Sequence, residues 1–230
     1  YFKLRSIDEQ TYENYMLPYY MQNILANNRK LRILDIGCGY GQMLAALKKS
    51  GFECLAGIDV APDAVAFCKK QGLDVTLIGD IDDFKPKEKY DFIIMSHVLE
   101  HIEKSQVIRI LKYIKNNLLA DNGRFLLMVP NAQSNTGAYW MYEDFTHFTL
   151  YTSGSVMYVL KAAGFTDIRF ADPDGVESAK SWYGKLIRKT FLKLYDMNKL
   201  FWNRITLSAY YRESPRIYTF ELKVLSTNKV

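Results

Sequence analysis

The chain has 230 residues, 49% hydrophobic and 24% charged, with 30 Lys and Arg against 25 Asp and Glu. That apolar share excludes a disordered chain, and no run of about 18 uncharged apolar residues offers a membrane-spanning helix. Three cysteines, Cys38, Cys54 and Cys68, none in a CxxC pair, make neither a disulfide framework nor a zinc ribbon.

The stretch 1–30, rich in Tyr and Met, reads as a helical N-terminal extension broken near Pro18. No charged-apolar-small leader opens it, which points away from secretion and toward a reducing cytoplasm, although Tyr1 suggests a missing true start. From there strands and helices alternate. Leu31–Asp35 is a short buried strand ending in glycines, and Gln42–Ser50 has helical apolar spacing that stops at Gly51. Cys54–Ile58 is a second strand, and Pro62 opens a helix that Gly72 closes. Asp74–Ile78 and Tyr90–Met95 are the third and fourth strands. Ser105 is expected to cap a long helix carrying Val107, Ile110, Leu111 and Ile114, before a fifth strand at Gly123–Met128. Ser153–Ala163 reads as a helix ending at Gly164, Asp167–Phe170 as a strand, and Arg216–Val224 as the last strand. The alternation predicts an α/β fold whose largely parallel sheet is covered on both faces.

Three signals fall at the carboxyl ends of successive strands, where an open parallel sheet binds its ligand. Asp35-Ile-Gly37-Cys38-Gly39-Tyr-Gly41-Gln42 follows the first strand, a loop whose glycines allow sharp turns and close approach. It is GxGxG, with Gln42 where a dinucleotide fingerprint has its third glycine. Asp59, followed by Val60, ends the second strand, where a carboxylate suits ribose hydroxyls; its other reading is a cap for the helix at Pro62. Asp80 and Ile81 follow the third strand, where a carboxylate suits an adenine amino group and an apolar side chain its ring.

With these residues the chain resembles the class I S-adenosylmethionine-dependent methyltransferases over roughly Leu31–Phe170 and in the final strand. LDIGCGYG is similar to their first motif, GIDV to the second, GDI to the third, and YDFIIMSHVLEHI to the fourth-strand motif. The resemblance implies a Rossmann-like seven-stranded, mostly parallel sheet with an antiparallel last strand. It also implies S-adenosyl-L-methionine as cofactor, held by Asp35, the glycine loop, Asp59, Val60, Asp80, Ile81, Ser96 and His97. Asp121-Asn-Gly123 replaces the usual Pro-Gly-Gly of the turn before the fifth strand.

His97-Val-Leu-Glu100-His101 also matches a zinc-peptidase pattern, which needs a long helix and a third ligand downstream. Directly after a strand, the segment reads instead as cofactor rim, with His101 facing the acceptor and no metal required. The loop after the fifth strand offers Asn131, Trp140, Tyr142, Asp144 and His147. Asp144-Phe-Thr-His147 with the later Ala-Gly-Phe165 resembles methyltransferases of bacterial polysaccharide and lipopolysaccharide clusters, with Phe148 where Glu is usual. The aromatic residues suit a sugar acceptor; alternatively Trp140 and Tyr142 cover the core.

Between Lys180 and Arg204, part of an insertion at 171–215 between the last two strands, Lys180, Lys185, Arg188, Lys189, Lys193, Lys199 and Arg204 stand against Asp196 alone. Leu186, Ile187, Phe191, Leu194 and Tyr195 share one face of it, an amphipathic basic pattern. Either it packs on the sheet or on a second subunit, or it meets an anionic membrane from the cytoplasmic side. The whole reads as a single domain with core 31–170 and last strand and tail 216–230. Expected is methyl transfer to an oxygen of a surface-glycan precursor, His101 or His147 as base and Asp144 orienting it. A small metabolite, such as a phosphobase, amine or quinone-type acceptor, is the alternative; motifs of nucleic-acid methyltransferases are absent.

Overall fold

Seven strands form one sheet in a computed structural model that describes residues 15–25, 28–177, 179 and 181–229. They are β1 (Arg32–Ile36), β2 (Cys54–Asp59), β3 (Val75–Leu77), β4 (Tyr90–Ser96), β5 (Leu119–Pro130), β6 (Thr166–Phe170) and β7 (Glu221–Thr227), in spatial order β3-β2-β1-β4-β5-β7-β6. β1 to β5 pair in parallel, whereas β7 runs antiparallel to both β5 and β6. The helices are α1 (Tyr19–Leu25), α2 (Gln42–Lys49), α3 (Pro62–Lys70), α4 (Lys104–Tyr113), α5 (Gly137–Glu143), α6 (Ser153–Ala162) and α7 (Trp182–Ile205).

Burial on both faces follows from the composition of the central strands. On β4 and β5, Ile93, Phe125 and Leu127 pack on one side with Leu111, Val156 and Leu160 of α4 and α6. Phe92, Ile94, Leu126 and Met128 point to the other side, against Leu47 of α2 and Met21 and Leu25 of α1. Side chains alternate across a strand, so near-continuous apolar runs are buried only where both faces are covered.

Residues 15–18 are not helical and α1 begins at Tyr19, the Pro18 carbonyl accepting from the N–H groups of Met21 and Gln22, so the chain breaks at Pro18; residues 1–14, 26 and 27 of the expected extension lie outside the described residues. Three expectations change. Ser105 sits inside α4, whose N-cap is Glu103, because a 3₁₀ turn at Leu99–His101 brings the chain into the helix earlier. β5 begins at Leu119, which pairs with Tyr90 across an irregular register. β7 begins at Glu221 and not at Arg216, because the preceding residues are engaged elsewhere: Arg216 binds Asp196 of α7, and the carbonyls of Ile217 and Thr219 accept from the Asn131 amide.

Candidate active site

Strand order reverses between β1 and β4, and the loops leaving the carboxyl ends of β1 to β4 open there into a cavity of about 1200 Å³. The glycine loop forms one wall. Gly37, Gly39 and Gly41 have φ of 70°, 52° and 76°, and the N–H groups of Gly37 and Cys38 donate to the Ile58 carbonyl at 2.8 and 3.2 Å. A Cβ on Gly37 would lie 2.2 Å from Val98 Cγ2, so this glycine allows the first loop to pack against the chain leaving β4. Gly41 caps α2 from behind the cavity.

Asp59 is buried and accepts from Gly39 N at 2.7 Å and from Ala61 N at 2.8 Å, fastening the glycine loop to the start of α3. Its carboxylate is thus oriented before any ligand arrives. Asp35 is buried beside it; burial, and then the charge of Asp59, push its carboxyl up to about 8. Asp80 accepts from Asp82 N at 3.2 Å and pairs with Arg109 Nη2 at 3.2 Å; that backbone N–H and the guanidinium hold it below the usual carboxylate range. Ile81 is buried below it, and Val60 is largely exposed.

At the end of β4, Ser96 lines the cavity and His97 adopts φ 54°, rare for a side chain with a Cβ. The His97 ring lies between Glu100, at 3.3 Å, and Glu221 of β7, at 3.1 Å. Burial opposes charging the imidazole, but the two carboxylates outweigh it and raise it to about 9. Glu100 is fully buried, and neither carboxylate oxygen has a hydrogen-bond partner among the described residues.

The loop after β5 closes the far wall. Phe148 N donates to the Glu100 carbonyl at 2.8 Å, which brings 144–148 over the 3₁₀ turn and the rings of His101 and His147 to 4.6 Å. Thr146 Oγ1 donates to Asp144 Oδ1 at 2.6 Å, so its oxygen accepts from His101 Nδ1, at 2.8 Å. That chain selects the tautomer with the lone pair on Nε2. Burial lowers the His101 pKa below its ordinary value, Glu100 opposing and His147 adding to the effect. His147 donates from Nδ1 to the Trp140 carbonyl at 2.7 Å, with Asp144 Oδ2 3.9 Å from its Nε2.

Of the expected residues, Asp35, Gly37, Cys38, Gly39, Gln42, Asp59, Val60, Asp80, Ile81, Ser96, His97, His101, Trp140, Asp144 and His147 line this one cavity. Asn131 does not: fully buried, it donates to the carbonyls of Ile217 and Thr219 at 2.8 Å each and fixes the approach to β7. Tyr142 stands 77% exposed outside the cavity. Thr146, Arg109, Glu221 and Phe220 were not singled out as site residues; only Thr146 lies within a recognisable motif. The zinc pattern grouped His97 with Glu100 and His101, whereas the fold brings Glu100, His101 and His147 together, each offering one ligand atom within 4.8 Å of the others.

Comparison with known proteins follows the same lines. Residues 9–169 match the family described as a methyltransferase domain. A ubiquinone biosynthesis O-methyltransferase of Rickettsia canadensis is 32% identical over 114 residues, covering 45% of this chain and 48% of that protein. An uncharacterized methyltransferase of Staphylococcus carnosus is 29% identical over 53% of this chain and 58% of its own length. The chain thus spans about half the length of these curated relatives. The crystal structure of a SAM-dependent methyltransferase from Archaeoglobus fulgidus superposes with a TM-score of 0.65 at 20% identity, covering 98% of this chain and 96% of that one. With a matching model over residues 9–169, the chain belongs to the family of methyltransferase domains, and its fold is that of the Archaeoglobus fulgidus structure.

Proposed function

We propose that the chain transfers a methyl group to a hydroxyl oxygen, with His101 as general base. The hydrogen-bond chain Asp144–Thr146–His101 carries this reading. S-adenosylmethionine supplies an activated methyl group on a sulfonium, so the protein's tasks are alignment of the acceptor and removal of its proton. Asp59 is positioned for the ribose hydroxyls, Asp80 and Ile81 for the adenine end, and Asp35 for the cationic end of the cofactor. The left-handed glycines leave the loop bare of side chains where the cofactor lies. Neutral His101 takes the hydroxyl proton at Nε2, while Thr146 and Asp144 hold its opposite nitrogen. His147 restrains the loop through Trp140 and packs against His101.

The acceptor is a hydrophobic ring bearing a hydroxyl, of the quinone type. Trp140, Phe220, Val98 and Ile102 give the cavity apolar walls, and several relatives are named for O-methylation in ubiquinone biosynthesis. A glycan precursor is the second reading, favoured by Tyr139, Tyr142 and Phe148, which stand exposed on the acceptor loop and could stack on sugar rings. Methyl transfer from labelled cofactor to a prenylated catechol and to a nucleotide-linked sugar decides between them: turnover of the catechol alone supports the first reading, turnover of the sugar alone the second. The scheme works without a metal, so a chelator should leave turnover unchanged. If a divalent cation restored activity after chelation, Glu100, His101 and His147 would be ligands and the base assignment would fall.

A further inference from the structure

An ordinary surface helix turns its apolar stripe inward. α7 does the reverse. It is 24 residues long, about 36 Å by the helical rise, and none of its residues is buried. Its half-buried positions, Gly184, Leu192, Tyr195, Asp196, Lys199 and Asn203, fall on one side at 3.6 residues per turn, and that side meets the protein through polar groups. Asp196 binds Arg216 at 2.7 Å and accepts from Tyr218 at 2.8 Å, Tyr195 reaches Asn135, and Arg188 reaches the Gly175 carbonyl. The opposite side carries Tyr183, Leu186, Ile187, Leu194, Met197 and Phe201, each between 53% and 59% exposed.

We propose that α7 is a membrane-docking helix, lying in the headgroup plane of an anionic bilayer with this outward apolar face embedded. Charge selects the occupant. Lys189, Lys193 and Arg204 are exposed along one edge of the apolar face, and the helix's one acidic residue, Asp196, is taken up on the inner side by Arg216. A second copy would bring a row of like charges against this edge, whereas anionic phospholipid headgroups neutralise it. Trp182 and Trp202, near the two ends, are 77% and 54% exposed and suit the interface between headgroups and acyl chains. No helix among the described residues is long and apolar enough to cross a membrane. The contact is therefore peripheral. Tyr195 joins α7 to Asn135 at the base of the acceptor loop, so docking sets the bilayer beside the loop that carries the acceptor residues. The surface stands on its own, whichever acceptor is methylated.

Co-sedimentation of the chain with vesicles tests this directly. Partitioning should be at least about a hundredfold stronger onto mixed phosphatidylglycerol and phosphatidylcholine vesicles than onto phosphatidylcholine alone, taking about fivefold for each of several basic residues near the surface. Added salt should weaken it. The pair Leu194→Asp and Phe201→Asp should abolish binding to both vesicle types. The triple change Lys189→Gln, Lys193→Gln and Arg204→Gln should remove the anionic preference. These side chains are exposed, so affinity for S-adenosylhomocysteine should stay at the wild-type value in every variant and report that each has folded. Failure of the wild-type chain to bind anionic vesicles, or undiminished binding by the aspartate pair, overturns the proposal. So does light scattering that shows a dimer dispersed by the same pair, since the apolar face would then cover a second copy.

Discussion

In the proposed mechanism Thr146 and Asp144 orient His101 as the base. Thr146 has one hydroxyl proton, and Asp144 takes it, so the hydroxyl oxygen can only accept from His101. Substituting His101→Gln should lower turnover about 10²–10⁴-fold while S-adenosylhomocysteine affinity measured calorimetrically stays unchanged. Because burial lowers the pKa of His101, the acidic limb of the rate profile should lie below about pH 6.5 and vanish in that variant. Thr146→Val should retain a weaker rate and move the limb, which a purely structural threonine would not do. Asp59 fastens Gly39 and Ala61, and in the proposed site it also holds the cofactor ribose. Asp59→Ala should therefore reduce cofactor affinity about ten- to a hundredfold, the loss of a charged hydrogen bond of about 1.5–3 kcal/mol, and lower the melting temperature too. Unchanged affinity would remove Asp59 from the site.

Among elements, the turn from β1 into α2 joins a steric demand to a backbone one. Gly37 combines a left-handed φ of 70° with a would-be Cβ 2.2 Å from Val98. The backbone cost of an L-residue there is about 1–2 kcal/mol, and overpacking adds about 1–3 kcal/mol. Gly37→Ala should thus lower stability by about 2–5 kcal/mol in denaturant titration, and adding Val98→Ala should recover only the steric part. Full recovery would mean that the backbone conformation costs nothing. α7 illustrates the opposite case, an element held by polar contacts whose apolar side faces outward, where single exposed substitutions should alter membrane binding and not stability.

At the scale of the whole molecule, His97 joins the end of β4 to the start of β7 through Glu100 and Glu221, with Lys223 3.1 Å from Glu221 on its far side. Burial disfavours a charged Glu221, but His97 and Lys223 hold it below the usual carboxylate range. The folded-state pKa of His97, about 9, stands above its ordinary 6.5. Its stabilising contribution is therefore complete below about pH 6.5 and lost as pH rises through about 9. The ring is 40% exposed, and solvent screening reduces the effect to about 1 kcal/mol or less. Thermal melts should show a fall of a few degrees between pH 7 and pH 9.5 that is absent in His97→Gln. An identical fall in that variant would assign the effect to other groups.

Periodicity and glycine placement alone determined the strand–helix alternation, the parallel sheet and the loop ends where Asp35, Asp59 and Asp80 stand, because these depend on short-range pattern and on backbone freedom. The amphipathic character of α7 was equally legible from local spacing. Its orientation was not: which side meets the protein depends on Asp196 and Tyr195 finding Arg216 and Asn135, residues 20 and 60 positions away. Asn131 shows the same limit, since its residue type and loop position fit a substrate contact until the carbonyls of Ile217 and Thr219 claim its amide. The proximity of His101 to His147, the pairing of Thr146 with His101 and the placement of His97 between Glu100 and Glu221 were decided by tertiary structure alone. Each depends on separate loops converging on one sheet edge, where burial and neighbouring charge, rather than residue type, determine which imidazole is neutral and which is held as a cation.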